Sequence, residues 1–357
     1  MTATQREIAR LAGVSVTTVN FVLSGRARAM KVSERTEHRV QAIAQDLGYE
    51  GNYLAQALAR GRSLTLGVVT APGNAGLLQD RFWSAILSGI DVQAHRRGQD
   101  LTLLVGHEGR SALEEGLSAV RRKRVDGLLL LGRLFGKRQD LPADLPLVAI
   151  AGSRGPACPT VEVDPAPGVE AAVEHLAELG HRRLLYLGRR GPRGPMVADR
   201  IRAFQAAGRR VGVTTQEHLL HQDISYRNDL SEQIEAYRQA LEDSFRLPDG
   251  VTAVLTYNDN LGLGLYAWLM ARGLRVPDDL SVIGFDNGVA AAALPAMTTI
   301  DHMLPEMGAQ AVDLLLARIN DADPVPTRTT IPARLVLRRS AAAPSPQRIG
   351  NDRLPAP

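Results

Sequence analysis

The first sixty residues alternate between short apolar faces and polar breaks, whereas the chain beyond residue 63 alternates wholly apolar runs with amphipathic stretches. In residues 4–12 (TQREIARLA), Ile8, Leu11 and Ala12 share one face of a predicted helix, and Gly13-Val14-Ser15 ends the run. Ser15 can cap a second helix whose buried side would be Val19, Val22 and Leu23. Ser33 can cap a third, with Val40, Ile43, Ala44 and Leu47 at i, i+3, i+4 and i+7, and Gly48 closes it. Two short helices joined by a glycine-containing turn and braced by a third make a helix-turn-helix unit. Such a unit enters the DNA major groove with the N-terminus of its second helix first.

Past residue 63, apolar strands are predicted at 64–69, 101–106, 126–131, 146–150, 183–188, 253–257 and 281–285. Amphipathic helices, 82–97 and 169–179 among them, fall between these strands. Continuous apolar strands alternating with helices predict an α/β body with parallel sheets covered on both faces. Ligands in such folds sit off the carboxyl ends of the strands.

Composition adds three constraints. At 45% hydrophobic and 22% charged residues the chain reads as globular, and 357 residues suit two or three domains. One cysteine, Cys158, excludes a disulfide framework and a cysteine metal site, and the N-terminus has no apolar signal-like run, so a cytoplasmic protein without a membrane span is expected. Residues 1–62 carry nine Lys/Arg against five Asp/Glu, an excess equal to the +4 of the whole chain, so the body is neutral. A basic head on a neutral body points to a polyanionic partner, although a solvated basic surface would read the same way.

Residues 7–23 (EIARLAGVSVTTVNFVL), with Tyr49, Asn52, Ala55 and Leu58 beyond them, resemble the head of the lactose/galactose repressor (LacI/GalR) family. The resemblance continues through VDGLLLLG (125–132), HLAELGHRRLLYLG (175–188), YND (257–259), VPDDLSVIGFDN (276–287) and LPAMTTI (294–300), covering about residues 5–338. It implies an N-terminal all-α helix-turn-helix head and a two-lobed, periplasmic-binding-protein-like body with parallel sheets. Val16, Thr17 and Phe21 stand where the family reads base edges, and Thr18 and Asn20 where it holds phosphates. Many members have Arg in place of Phe21; an aromatic edge suits a thymine methyl rather than guanine, while Phe21 could equally cover the loop 24–31. Residues 52–60 match the family's hinge helix, with Asn52 and Ala55 at contact positions and Leu58 as the wedge that opens a base step. In the alternative, Leu54 and Leu58 are packing residues of a linker helix.

The same resemblance assigns Arg200, Asn258 and Asp286 to an effector pocket between the lobes, with Asp80, Trp83 and Tyr226 as further lining candidates. Arg200 could instead pair with Asp199, Asp286 could cap the following turn, and Asn258 could cap the helix from 260. His302 is noted for its place on an inter-lobe crossing, and Ala151 replaces an aspartate of some sugar-binding members. The expected division is a head at 1–48, a hinge at 49–62, a body at 63–338 and a disordered tail at 339–357. Within the body the N-lobe would take about 63–162 and 301–328, and the C-lobe about 163–300 and 331–338. The expected partners are double-stranded operator DNA, a sugar or related metabolite, and a second copy of the chain, with no cofactor, metal or membrane.

Enzyme motifs are absent or misplaced. GLGLYA (262–267) fits a dinucleotide fingerprint, but Asn258 and Asp259 separate it from the strand, which puts it inside a helix. GRRGPRG (188–194) lacks the ending of a phosphate-binding loop. The competing readings are a solute receptor without DNA work and a regulator whose pocket is degenerate and answers to a protein partner.

Overall fold

The computed structural model describes residues 3–49, 57, 61–70, 78, 80–106, 109–132, 141–142, 144–151, 158–189, 195–220, 229–321 and 325–345. The head contains α1 (Gln5–Ala12), α2 (Val16–Leu23) and α3 (Glu34–Asp46). Each begins on a hydroxyl cap: Thr4, Ser15 and Ser33 accept from the backbone N–H three residues on, at 3.3, 3.1 and 3.3 Å. Gly13, at φ +63°, turns the chain from α1 into α2 in a conformation that other residues adopt at a cost. Ile8, Val19 and Val40, one from each helix, are fully buried together. Leu11 departs from the predicted face at 47% exposure, and Ala9 is buried in its place. The buried arc runs through Ile8, Ala9 and Ala12, and Leu11 lies roughly 100° around the helix from its centre.

The body holds two six-stranded sheets. The first has the order β11-β5-β4-β3-β1-β2, built from β1 (Thr65–Thr70), β2 (Asp100–Leu104), β3 (Gly127–Leu131), β4 (Leu147–Ile150), β5 (Thr160–Asp164) and β11 (Arg328–Pro332), all parallel. The second has the order β12-β10-β9-β8-β6-β7, from β6 (Arg183–Arg189), β7 (Thr214–Leu220), β8 (Ala253–Thr256), β9 (Ser281–Phe285), β10 (Thr298–Asp301) and β12 (Arg334–Val336). Only the β12 pairing with β10 is antiparallel. Helices α4 (Arg81–Arg96), α5 (Ala112–Arg121), α6 (Ala166–Glu178), α7 (Pro195–Val211), α8 (Leu230–Ser244), α9 (Asp259–Met270) and α10 (Leu304–Ile319) connect the strands.

Two boundaries differ from expectation. β11 pairs with β5 as far as Pro332, so the chain returns to the second sheet at Arg334 rather than at 331. The expected disordered tail also begins too early. Ser340 is fully buried, and its hydroxyl bonds to the Val282 carbonyl and takes the Thr298 N–H. Ala342 exchanges hydrogen bonds with Ser281, and its carbonyl accepts from His181 Nε2 at 2.9 Å, which fixes that ring nitrogen as the donor. A Pro/Ala-rich composition carries no hydrophobic periodicity, and backbone hydrogen bonding to a sheet end needs none.

Candidate DNA-reading face and ligand cleft

On α2, Val19 and Val22 turn inward and leave Val16, Thr17 and Asn20 exposed, at i, i+1 and i+4 on one face. Thr18 is half-buried, its hydroxyl 2.9 Å from the Ser15 hydroxyl, and Phe21 is half-buried at the other edge. The predicted face is therefore a surface of small side chains bordered by a ring, with Arg26, Arg28 and Lys31 exposed in the segment that follows. Asn52, Ala55 and Leu58 lie outside the described residues, as does Tyr226.

The second candidate site sits where the carboxyl ends of the strands from both sheets converge. Asp80 caps α4, accepting from Phe82 N–H at 2.9 Å and Trp83 N–H at 3.4 Å. Phe82 and Trp83 stack edge to face at 5.0 Å, and Phe82 meets the His302 ring edge to face at 6.0 Å. From the second sheet, Phe285 at the end of β9 lies 4.6 Å from the same imidazole, so His302 is held between aromatic rings of both lobes. Arg200 on α7 is 3% exposed; its guanidinium covers the Phe285 ring at 3.9 Å, and Nη1 donates to the Tyr257 carbonyl at 2.8 Å. The alternative pairing with Asp199 is not formed: Asp199 bonds Arg202.

Arg200 Nη2 lies 2.9 Å from His302 Nε2. A guanidinium only donates, so Nε2 accepts and the ring proton sits on Nδ1, which faces Asp286 Oδ1 at 3.1 Å. Burial, then the Arg200 charge, pushes the His302 pKa down, and the ring is neutral despite the opposing pull of Asp286. Asp286 itself is held at φ +98°, with Asn287 following at +57°. Asp259, which the sequence did not mark as a site residue, organises that loop. Its carboxylate accepts from Gly288 N–H at 2.8 Å and from the Thr299 hydroxyl at 2.6 Å. Burial and the nearby Asp286 raise the Asp259 pKa to about 7 against those hydrogen bonds.

Arg200, Asp286, Asp80 and Trp83 are thus brought into one region. Asn258 is beside it, but its side chain caps α9 by accepting from Leu261 N–H at 2.9 Å. Tyr257, Phe285 and Asp259 belong to the same constellation and were not singled out from sequence. Their signal is the strand-end position that each shares with Asp286. Burial pushes the Asp80 pKa up, and the Asp286 charge from the other lobe adds a smaller push in the same direction. Arg200 also faces the buried Tyr186 phenol, where its charge and hydrogen bonding oppose the upward push of burial on the Tyr186 pKa. Among these residues no group of His, Cys, Asp or Glu could hold a metal ion, and no helix is long and apolar enough to cross a membrane.

Comparison with known proteins joins the two sites in one family. The sequence profile of bacterial regulatory proteins, lacI family, matches residues 4–52, and that of a periplasmic binding protein-like domain matches residues 173–341. The transcriptional regulator CelR of Thermobifida fusca is 31% identical over 345 residues, spanning 93% of this chain and 96% of that relative. The chain belongs to the LacI family. The repressor CytR of Escherichia coli is 30% identical across 96% of this chain and 97% of its own length. Among solved structures, the CelR–cellobiose complex aligns with TM-score 0.60 at 27% identity, over 95% of this chain and all of that one. The lac repressor dimer bound to operator aligns with TM-score 0.71 at 24% identity over 96% of this chain, which supports the fold. As a LacI-family member the chain is a DNA-binding transcriptional regulator whose relatives are regulators rather than enzymes. GLGLYA accordingly lies within α9, with no phosphate-binding turn.

Proposed function

We propose that this regulator represses transcription in the cytoplasm as a homodimer on a near-palindromic operator, and that a hydroxyl-rich small molecule bound between the lobes sets its affinity. The head supplies Val16, Thr17 and Phe21 to base edges and Thr18 and Asn20 to phosphates, with Asn52, Ala55 and Leu58 following in the hinge. Protein two-fold symmetry then imposes symmetry on the DNA site. Arg26, Arg28 and Lys31 add affinity that falls with salt.

The observation that carries the ligand reading is the Arg200–His302–Asp286 line facing Asp80 across the cleft. Two carboxylates repel as the lobes approach. A ligand offering hydroxyl donors to both, and an acceptor to the guanidinium, removes that repulsion and favours the closed arrangement. Aromatic rings of Phe82, Trp83 and Tyr257 supply apolar walls for the face of a sugar or nucleoside. A ligand shifts the lobe equilibrium only through such differential contacts. Two relatives point to the same class: one solved as a complex with cellobiose, another named the ribose operon repressor. Thermal-shift titration against a panel of mono- and disaccharides, polyols and nucleosides tests the reading. At least one is expected to raise the melting temperature of the native chain, and Arg200→Met to abolish that rise. A ligand shift of equal size in Arg200→Met would move the site elsewhere.

A further inference from the structure

The segment that joins the head to the body enters the first sheet through residues 61–65, and it is fastened there on three sides. Asp126, at the start of β3, accepts from Ser63 N–H at 2.8 Å, the Ser63 hydroxyl at 3.0 Å and Leu64 N–H at 2.8 Å. The Leu64 carbonyl accepts from Asp100 N–H at the start of β2, also at 2.8 Å. Leu64 is left-handed at φ +52°, a conformation unfavourable for a branched side chain and held only by its surroundings. On the third side Arg62 reaches the C-terminus of α10, with Nη1 donating to Asn320 Oδ1 at 2.6 Å and Nη2 to the Ile319 carbonyl at 3.0 Å. A cation on the last carbonyls of a helix answers both their missing partners and the negative end of the dipole.

Arg62 is exposed, so it fills no core. Beside it a cavity of about 400 Å³, lined by Arg97, Gln99, Asp126 and Asp313, gives the guanidinium room to leave its seat. The other end of α10 begins two residues after His302, in the cleft, with Met303 N–H bonded to Asp301 at 2.7 Å. Sixteen residues of helix make a stiff rod about 24 Å long between the two ends.

We propose that Arg62, seated on Asn320 and Ile319, and Asp126, seated on Ser63 and Leu64, are positioning residues for operator binding. They fix the direction in which the chain leaves the body toward the head. Two heads can occupy adjacent half-sites only when both chains leave in a compatible direction, so the clamp contributes to specific binding without touching DNA. Because α10 links this clamp to His302, the direction becomes sensitive to the state of the cleft. That last step rests on the ligand reading above; the positioning role rests only on family membership and the geometry of the clamp.

The test uses the full-length chain and the duplex that the native protein enriches from a random pool, with a shuffled duplex of equal length as reference. Arg62→Ala is expected to weaken binding to the enriched duplex about tenfold, the size of a lost charged hydrogen bond, with the shuffled duplex and the salt slope unchanged. Asn320→Ala is expected to give a smaller loss of the same sign, and the double variant no more than Arg62→Ala alone, since the two share one interaction. Asn320→Asp, which keeps an acceptor opposite Arg62, is expected to bind as the native chain does. A loss shared by both duplexes, with the salt slope reduced by about one, would make Arg62 a phosphate contact instead. Additive losses, or native affinity in Arg62→Ala, would overturn the clamp. Failure of the native chain to enrich any duplex would instead remove the DNA reading beneath it.

Discussion

His302 is fully buried between two aromatic rings; its Nε2 accepts from Arg200, and its Nδ1 faces Asp286 at 3.1 Å. Its pKa is depressed, as is that of His181, both first of all by burial. Unfolded histidine takes a proton near pH 6.5, so the unfolded chain binds protons that the folded one refuses. The stability these rings support is therefore present above about pH 6.5 and is lost as pH falls below it. His302→Gln keeps one donor and one acceptor without titrating. Urea midpoints measured from pH 7.5 to 5.5 are expected to fall less in this variant than in the native chain; parallel curves would contradict it. Asp80 works in the opposite sense, since its raised pKa makes the ionised form costly above its titration. Asp80→Asn keeps the α4 cap, because asparagine caps as well as aspartate, and removes the repulsion with Asp286. Its melting temperature is expected to rise by roughly 2 °C at pH 8, with the gain shrinking as pH falls and the native carboxylate takes up a proton. Arg200 and Asp286 were legible in sequence through the resemblance, because their neighbours carry a dense motif. Asp259 and Arg62 were not: one carboxylate inside YND and one arginine in a basic linker look like ordinary charges until their partners, 29 and 258 residues away, are placed.

At the scale of elements, most strands that could be read in advance are buried on both faces; β2 (DLTLL), at a sheet edge, was read from its leucines despite its exposure. β3 (GLLLL) and β9 (SVIGF) are buried throughout, and their apolar runs declare them. β7 (TTQEHLL) and β11 (RTTIP) lie at sheet edges, where one side faces solvent and polar residues are tolerated, so composition hides them. The head was legible because three hydroxyl caps bracket apolar faces of helical period. The joint between α4 and α10 was not, since it depends on two glycines far apart in sequence. A Cβ on Gly89 would collide with the Pro305 carbonyl oxygen, and one on Gly308 with that of Ile86. The helices cross at backbone contact, and neither glycine faces a flexible side chain that could yield. Gly89→Ala is expected to cost about 1–3 kcal/mol in denaturant unfolding, whereas Gly98→Ala, with open space beside it, should show only the strain of its positive φ. Equal losses at the two positions would argue that the α4–α10 approach is looser than described.

At the scale of the whole molecule, two sheets, parallel but for β12, present the carboxyl ends of their parallel strands to one cleft, and the chain crosses between them before β6, after β10 and again after β11. These crossings place His302 and α10 between the ligand region and the point where the chain leaves for the head. The neutral body and basic head divide the work: one senses, the other holds a polyanion. The claim on which this rests is sequence-preferring binding by paired heads. Fluorescence anisotropy of the full-length chain, at about 0.15 M salt near the physiological Debye length, would compare the duplex it enriches from a random pool with a shuffled duplex. The account predicts two chains per duplex and a preference of about a thousandfold or more. Equal affinity for the two duplexes, across every ligand that shifts the melting temperature, would contradict it.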